Sequence, residues 1–399
     1  MDLALSPSEL AFRDRARDFL DRALTPEIRR AQTLTTTVFA EYDLVQAWHR
    51  ILHRQGWVAP SWPSEHGGTG WSIAERHIWQ VESGKAGAPS VSPIGLSMVG
   101  PVVIHFGTPA QRARFLPPIL SADDYWCQGF SEPGAGSDLA SLRTKAVRDG
   151  DDYVVNGTKI WTTHAHFANW MIALVRTSDA GRRQEGITCL LIDMKTPGIG
   201  VRPILTIGGD HEVNQVFLDD VRAPAANRVA GEGEGWTVAK YLLEFERGVV
   251  ASPRLRAGLA RVVAVANGEI AGLPPVAQEP AIAARIAETA IDIDALEMLE
   301  LKTSWALRTG QNPGAMASVL KLRASQLQQA VSALELEVLG EHALRWEPHR
   351  PLYDLAPGND GADEIRPAAS RFLNNRANTI FGGASEIQKG IIAKAILGL

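Results

Sequence analysis

The chain has 399 residues, 45% of them apolar and 21% charged, which is the composition of a globular protein long enough for two or three domains with buried cores. A formal net charge of −5 gives no basis for nucleic-acid binding, and two cysteines, Cys127 and Cys189, exclude a disulfide framework and suit a reducing cytosol. The opening MDLALSPSELAFRDRARDFL has charges at helical spacing and no long apolar run, so neither a signal peptide nor a membrane span is expected and a cytoplasmic location is.

Three regions follow in chain order. Residues 1–125 read as an N-terminal α-helical domain. Leu10, Phe12, Ala16, Phe19 and Leu20 fall on one stripe, and Ser6 is placed to cap the helix before Glu9. Within this region WVAPSWPSEHGGTGWS at 57–72 enforces a loop. His49 and His53 lie one helical turn apart, but no carboxylate stands between them; they read as helix surface, and no metal site is expected. Residues 126–235 read as a β-barrel or sandwich domain, from the short alternating runs at 152–157, 170–177 and 187–194. Residues 236–399 return to helix, with long segments at 282–310 and 314–344. Breaks are expected at the Gly-Leu-Pro-Pro of 272–275, at Gly310–Gly314 and across 347–367. Arg254, Arg256 and Arg261 read as a solvated helix face. The fold class is thus α+β, in the order helices, sheet, helices.

The densest signal is WCQGFSEPGAGSDLASLRTKA at 126–146. Its small residues between Pro133 and Ser137, Gly136 among them, expose backbone N–H groups able to cradle a phosphate or a polar ring. Alone it is an ordinary turn, and it is not the strand-to-helix GxGxxG of a dinucleotide fold. Next comes NGTKIWTTHAHFANW at 156–170, with Trp161 and Thr163 in a strand-like run. A tryptophan there reads equally as core. His164 and His166 alternate just beyond it.

Taken in order and spacing, SEPGAGSD, NGTKIWTT and the closing RANTIFGGASEIQKGIIAKAILGL resemble the acyl-CoA dehydrogenase family, and FGTPAQRARFLPPIL at 106–120 extends the likeness along the chain. QEGITCLLIDMKTPGIGVRPI and GWTVAKYLLEFERG resemble its pimeloyl-CoA dehydrogenase large-subunit type. The resemblance implies an N-terminal helical domain, a middle β-domain and a C-terminal four-helix bundle, with FAD held between the last two. By the same resemblance Phe130 and Ser131 contact the flavin, Ser137 the FAD phosphates, Trp161 packs on the ring and Thr163 hydrogen-bonds it. Ser385 and Glu386 approach the FAD of the same subunit, although Glu386 also reads as a surface carboxylate. The family's Arg-x-Gln-Phe-Gly motif is absent from ARIAETAIDIDALE at 284–297, and only Gly340 remains of its Gln-x-x-Gly-Gly-x-Gly loop.

The implied reaction is α,β-dehydrogenation of an acyl-CoA thioester to a trans-2-enoyl-CoA, with hydride passing to flavin N5 and electrons to an electron-transfer flavoprotein. Many members carry the catalytic glutamate where this chain has Gly382. Glu246 occupies the family's alternative base position, in the pair Glu246–Arg247; spacing alone reads that pair as helix surface. Gly382 retains the backbone N–H that binds the thioester oxygen in the family. The apolar terminus IIAKAILGL implies burial at a subunit contact, in a homotetramer or in a heterotetramer with a second dehydrogenase-like chain. Two alternatives stand beside this reading. One is a weakly catalytic subunit of such a heterotetramer, and the other a flavin oxidase acting on a non-CoA substrate.

Overall fold

The first helix starts where the sequence places it. In the computed structural model, which describes residues 4–91, 94–246, 250–269, 273–311, 314–344, 346–347 and 362–399, Ser6 accepts from the N–H of Glu9 and the Glu9 carboxylate accepts from the N–H of Ser6. This reciprocal cap opens α1 (Pro7–Ala23), and α2 (Pro26–Thr33), α3 (Tyr42–Gln55), α4 (Ile73–Lys85), α5 (Gly100–Phe106) and α6 (Pro109–Ser121) complete the first helical layer. Phe12, Ala16, Phe19 and Leu20 are buried as the stripe requires, but Leu10 is exposed, because it lies off the face that meets α4. The aromatic rings of Phe12, Phe19, Trp48, Trp57, Trp71 and Trp79 interlock beneath that stripe.

The middle region forms one mixed eight-stranded sheet. Its strands are β1 (Trp126–Gly129), β2 (Lys145–Asp149), β3 (Asp152–Thr163), β4 (Trp170–Arg176), β5 (Ile187–Asp193), β6 (Ile199–Ile204), β7 (Val213–Pro224) and β8 (Arg228–Val229). The order is β6-β7-β3-β2-β4-β5-β8, with β1 parallel to β4. Only Lys145 and Arg176 pair between β2 and β4, so the sheet turns there into two halves. Strands β4 and β5 are apolar on both sides for a reason. Met171, Ala173, Val175, Leu190 and Ile192 fill a core inside the sheet, while Ile172, Leu174, Ile187, Cys189 and Leu191 join the core of the N-terminal helices. Alternation along each strand thus glues the two layers together.

The chain then enters α7 (Gly235–Glu246), whose Val238, Ala239 and Leu242 pack into that shared core. Helices α8 (Ser252–Ala266), α9 (Pro280–Arg308) and α10 (Met316–Leu339) form a second core around Leu259, Val262, Leu296, Leu327 and Leu334. Short helices α11 (Ala362–Ile365), α12 (Ala368–Asn374) and α13 (Ser385–Ile392) close the chain. The expected loop at 347–367 is therefore interrupted by α11. Its residues 348–361, like 270–272 and 312–313 at the other expected breaks, lie outside those described. Arg256 is a surface residue bonded to Asp294 and Glu297, whereas Arg261 is only half exposed. Among the described residues no helix is long and apolar enough to cross a membrane.

Candidate functional site

A bulge in β3 organises the site. Lys159 pairs with Val216 of β7 and Thr162 with Asn214, so three steps on β3 span two on β7. Before the bulge the odd residues Tyr153, Val155 and Lys159 point into the protein; after it the phase flips and Thr162 does. Trp161 would otherwise be inward. Instead it is 60% exposed, and its φ of 59° lies in the left-handed region, which costs a bulky L-residue about 1–2 kcal/mol. It is not core. A strained, outward aromatic with little protein on it marks a surface shaped for something else.

The SEPGAGSD loop lies beside it. Ile160 N–H donates to Ser131 O at 2.9 Å, which ties the start of the loop to β3 at the residue before Trp161. Glu132 and Ala135 exchange backbone bonds, folding 132–135 into a tight turn. At Gly134 and Gly136 an added Cβ would meet nothing within 4 Å, so the turn faces open space. Ser137 is exposed and Phe130 buried. Among the described residues the hydroxyls of Ser131, Ser137 and Thr163 have no hydrogen-bond partner. An exposed aromatic face on one segment, with unspent hydroxyls on it and on the open loop tied to it, fits a flat ring with polar edges and a phosphate tail, which is the chemistry of FAD.

Two residues that the sequence reading did not single out sit behind this surface. Lys159 is 0% exposed, and its ammonium donates to Glu132 Oε1 (2.8 Å), Phe130 O (3.2 Å) and Leu174 O (2.7 Å). The Glu132 carboxylate also accepts from the N–H groups of Arg143 (2.6 Å) and Thr144 (2.9 Å). Burial pulls Lys159 down to about 8, opposed by Glu132. Burial pushes Glu132 up, but Lys159 and the three hydrogen bonds outweigh it and hold the carboxyl below its ordinary value. The signal was available: period two along β3 puts Lys159 in line with Tyr153 and Val155.

The other edge of the Trp161 segment is held by Asn214, which is wholly buried. Its Nδ2 donates to Thr162 O (3.0 Å) and His166 Nδ1 (2.9 Å), and His211 Nε2 donates to its Oδ1 (2.7 Å). His166 stacks on His211 with centroids 4.0 Å apart. His164 and His166 therefore do not alternate in a strand. They follow β3 in a turn, with His164 buried against Tyr125 Oη at 2.7 Å and at a φ of 54°. Burial drives His164 down to about 3 and His166 to about 4, so both rings stay neutral. Glu212, next to this group, is pushed up to about 7 by burial while it accepts from Phe39 N–H at 3.0 Å.

His49 is also buried, against the reading of helix surface. Its Nε2 lies 3.1 Å from Leu120 O at the end of α6, and burial lowers it to about 4. Among the described residues no three His, Cys, Asp or Glu side chains are placed to hold a metal ion.

The C-terminal candidates form a separate group. Gly382 and Gly383 have φ of 61° and 89°, a double left-handed turn that side chains resist. Ser385, buried, then starts α13, where Glu386 is exposed. This turn follows the segment 375–379, which is tied to α10 by Lys321 Nζ donating to Asn378 O and Gln329 Nε2 to Asn375 O. Among the described residues no hydrogen bond joins it to β3 or the SEPGAGSD loop. Glu246 is the last residue of α7; its side chain, and Arg247, lie outside the described residues.

Comparison with known proteins covers all three regions. Residues 6–123, 127–221 and 233–397 match the families described as acyl-CoA dehydrogenase N-terminal, middle and C-terminal domain. The chain is 37% identical over 365 residues to acyl-CoA dehydrogenase IpdE1 of Mycobacterium tuberculosis, covering 89% of this chain and 88% of that one. Among solved structures it is similar to the ChsE4–ChsE5 complex of the same organism (31% identity, TM-score 0.83, 100% and 99% covered). It is also similar to the steroid ACAD Tcur3481–Tcur3483 (28% identity, TM-score 0.84, 100% and 99% covered).

Proposed function

Because the chain belongs to the acyl-CoA dehydrogenase family, whose members are FAD-dependent oxidoreductases acting on CH–CH bonds, we propose that it converts an acyl-CoA to a trans-2-enoyl-CoA with Glu246 as base. The observation that carries this reading is the β3 bulge, which turns Trp161 outward beside the unspent hydroxyls of Ser131 and Thr163. Bound FAD would accept the hydride leaving the β-carbon.

The chain's own residues supply the rest. Glu246 takes the α-proton. Gly382 contributes a backbone N–H to the thioester oxygen, and its left-handed φ explains why a residue without Cβ suits the position. Phe130, Ser131, Trp161 and Thr163 hold the ring, the loop at Gly136 and Ser137 the phosphates, and Ser385 with Glu386 the C-terminal side. An electron-transfer flavoprotein is the proposed acceptor.

A second reading concerns assembly. Two of the similar structures, ChsE4–ChsE5 and Tcur3481–Tcur3483, are named for a pair of proteins, and Gly382 offers no carboxylate of its own. We therefore propose a heterotetramer with a second dehydrogenase-like chain, seated in part on the exposed Ile396, Leu397 and Leu399 at the C-terminus. Anaerobic titration of the FAD-loaded protein with straight, branched, dicarboxylyl and steroid-side-chain acyl-CoAs tests the activity, since a substrate bleaches the flavin band. No bleaching by any thioester, together with rapid reoxidation in air on another reductant, would favour an oxidase instead. Copurification with a second chain, and activity only in its presence, would favour the shared assembly.

A further inference from the structure

The two segments assigned to the flavin, 130–131 and 161–163, are far apart in sequence and meet through one buried ion pair. Lys159 Nζ bonds Phe130 O, Glu132 Oε1 and Leu174 O, so each of the three ammonium donors is spent, on the 130–132 loop and on β4. Glu132 in turn bonds the N–H groups of Arg143 and Thr144, at the point where the loop leaves for β2. Next to the pair, Ile160 N–H bonds Ser131 O.

Stability does not call for such a pair. Removing two charges from water costs several kcal/mol each, and well-packed apolar side chains in the same volume often do as well or better. The neighbouring strands manage without: β4 and β5 carry only apolar residues at their fully buried positions, Thr188 excepted. The charge also has a direction. The ammonium is bonded to the carbonyl of Phe130, a residue assigned to the ring, whereas the Glu132 carboxylate is also held by the N–H groups of Arg143 and Thr144, away from residues 130–131.

We propose that Lys159 and Glu132 are positioning residues for the flavin, fixing the 130–131 loop to β3 and biasing the bound ring toward its reduced state. The inference rests on the flavin reading given above. Reduction adds negative charge to the ring, so a cation held behind its platform favours the reduced form, and a carboxylate left there without its cation opposes it. Neither side chain touches the substrate; they act through the loop and through their field.

The test is a redox titration of the FAD-loaded protein against a reference dye at pH 6, below the pKa of Lys159. Lys159→Met keeps length and removes the cation. The ratio of reduced to oxidised flavin at fixed dye potential should fall at least tenfold, about 30 mV for a two-electron couple. Glu132→Gln keeps an oxygen for Lys159 and removes the negative charge, so its ratio should move the opposite way. Opposite signs are what a merely structural pair would not give. Arg17→Met, which breaks the Arg17–Glu82 pair of the N-terminal helices at 2.7 Å, serves as control and should leave the ratio alone. Should Lys159→Met fail to fold, Glu132→Gln carries the test alone. A folded, loaded variant whose ratio and flavin spectrum match the parent overturns the proposal, as do shifts of the same sign in both variants. If the parent itself takes up no FAD, the flavin reading has failed, and that outcome is distinct.

Discussion

Replacing Trp161 by glycine should move stability and flavin affinity in opposite directions. The ring is 60% exposed, so the fold without cofactor draws little from it. Its φ of 59° costs about 1–2 kcal/mol, which glycine avoids, while glycine's greater freedom in the unfolded chain costs back about 0.5–1 kcal/mol. Trp161→Gly should therefore leave the flavin-free protein unchanged or stabilise it by up to about 1.5 kcal/mol. Cofactor binding should suffer. A tryptophan buries roughly 150–250 Å², and covering the exposed part of this one at about 25 cal/mol/Å² is worth about 2–4 kcal/mol. The dissociation constant for FAD should rise roughly 30- to 1,000-fold. Urea unfolding of the flavin-free protein and fluorescence titration with FAD measure the two terms. A variant that loses more than about 2 kcal/mol of stability and binds FAD as tightly as its parent would show that Trp161 is a structural residue with no ring upon it.

Three further predictions concern single groups. Glu246→Gln should lower turnover about 10²–10⁴-fold while FAD stays bound, and near-normal turnover on a substrate that bleaches the parent flavin would move the base elsewhere. His164 is neutral when folded, with its pKa lowered to about 3, whereas the unfolded chain binds a proton below about 6.5; stability is therefore lost as pH falls from about 6.5 toward 3. His164→Gln should flatten that acid limb in urea unfolding at successive pH, and an unaltered slope would assign it to other groups. Glu212 runs the other way, because its folded pKa of about 7 lies above its ordinary value of 4.5: the folded state is favoured at low pH and loses ground as pH rises from about 4.5 to about 7. Glu212→Gln should be more stable than its parent at pH 8 and equal to it at pH 4; a variant less stable at both would show that the carboxylate's bond to Phe39 outweighs its burial.

Much of this protein is written in short-range patterns. Ser6 and Glu9 capped α1 as read, because a capping box is closed by residues three apart, and the runs at 152–157, 170–177 and 187–194 became β3, β4 and β5, because strand alternation is local. The order of the motifs was enough to identify the family. What the sequence alone could not decide was phase and partnership. Trp161 read equally as core, and only the register of β3 against β7 set it outward, since a bulge is a mismatch between two strands and neither carries it alone. Leu10 fell on the stripe of α1 yet lies in the open, and His49 read as surface yet is buried against the end of α6, because which side of a helix meets a neighbour depends on where that neighbour packs. Lys159 and Glu132 stand 27 residues apart, and each alone looks like a solvated charge; folding the loop back onto β3 excluded water from both and left each as the other's counter-ion.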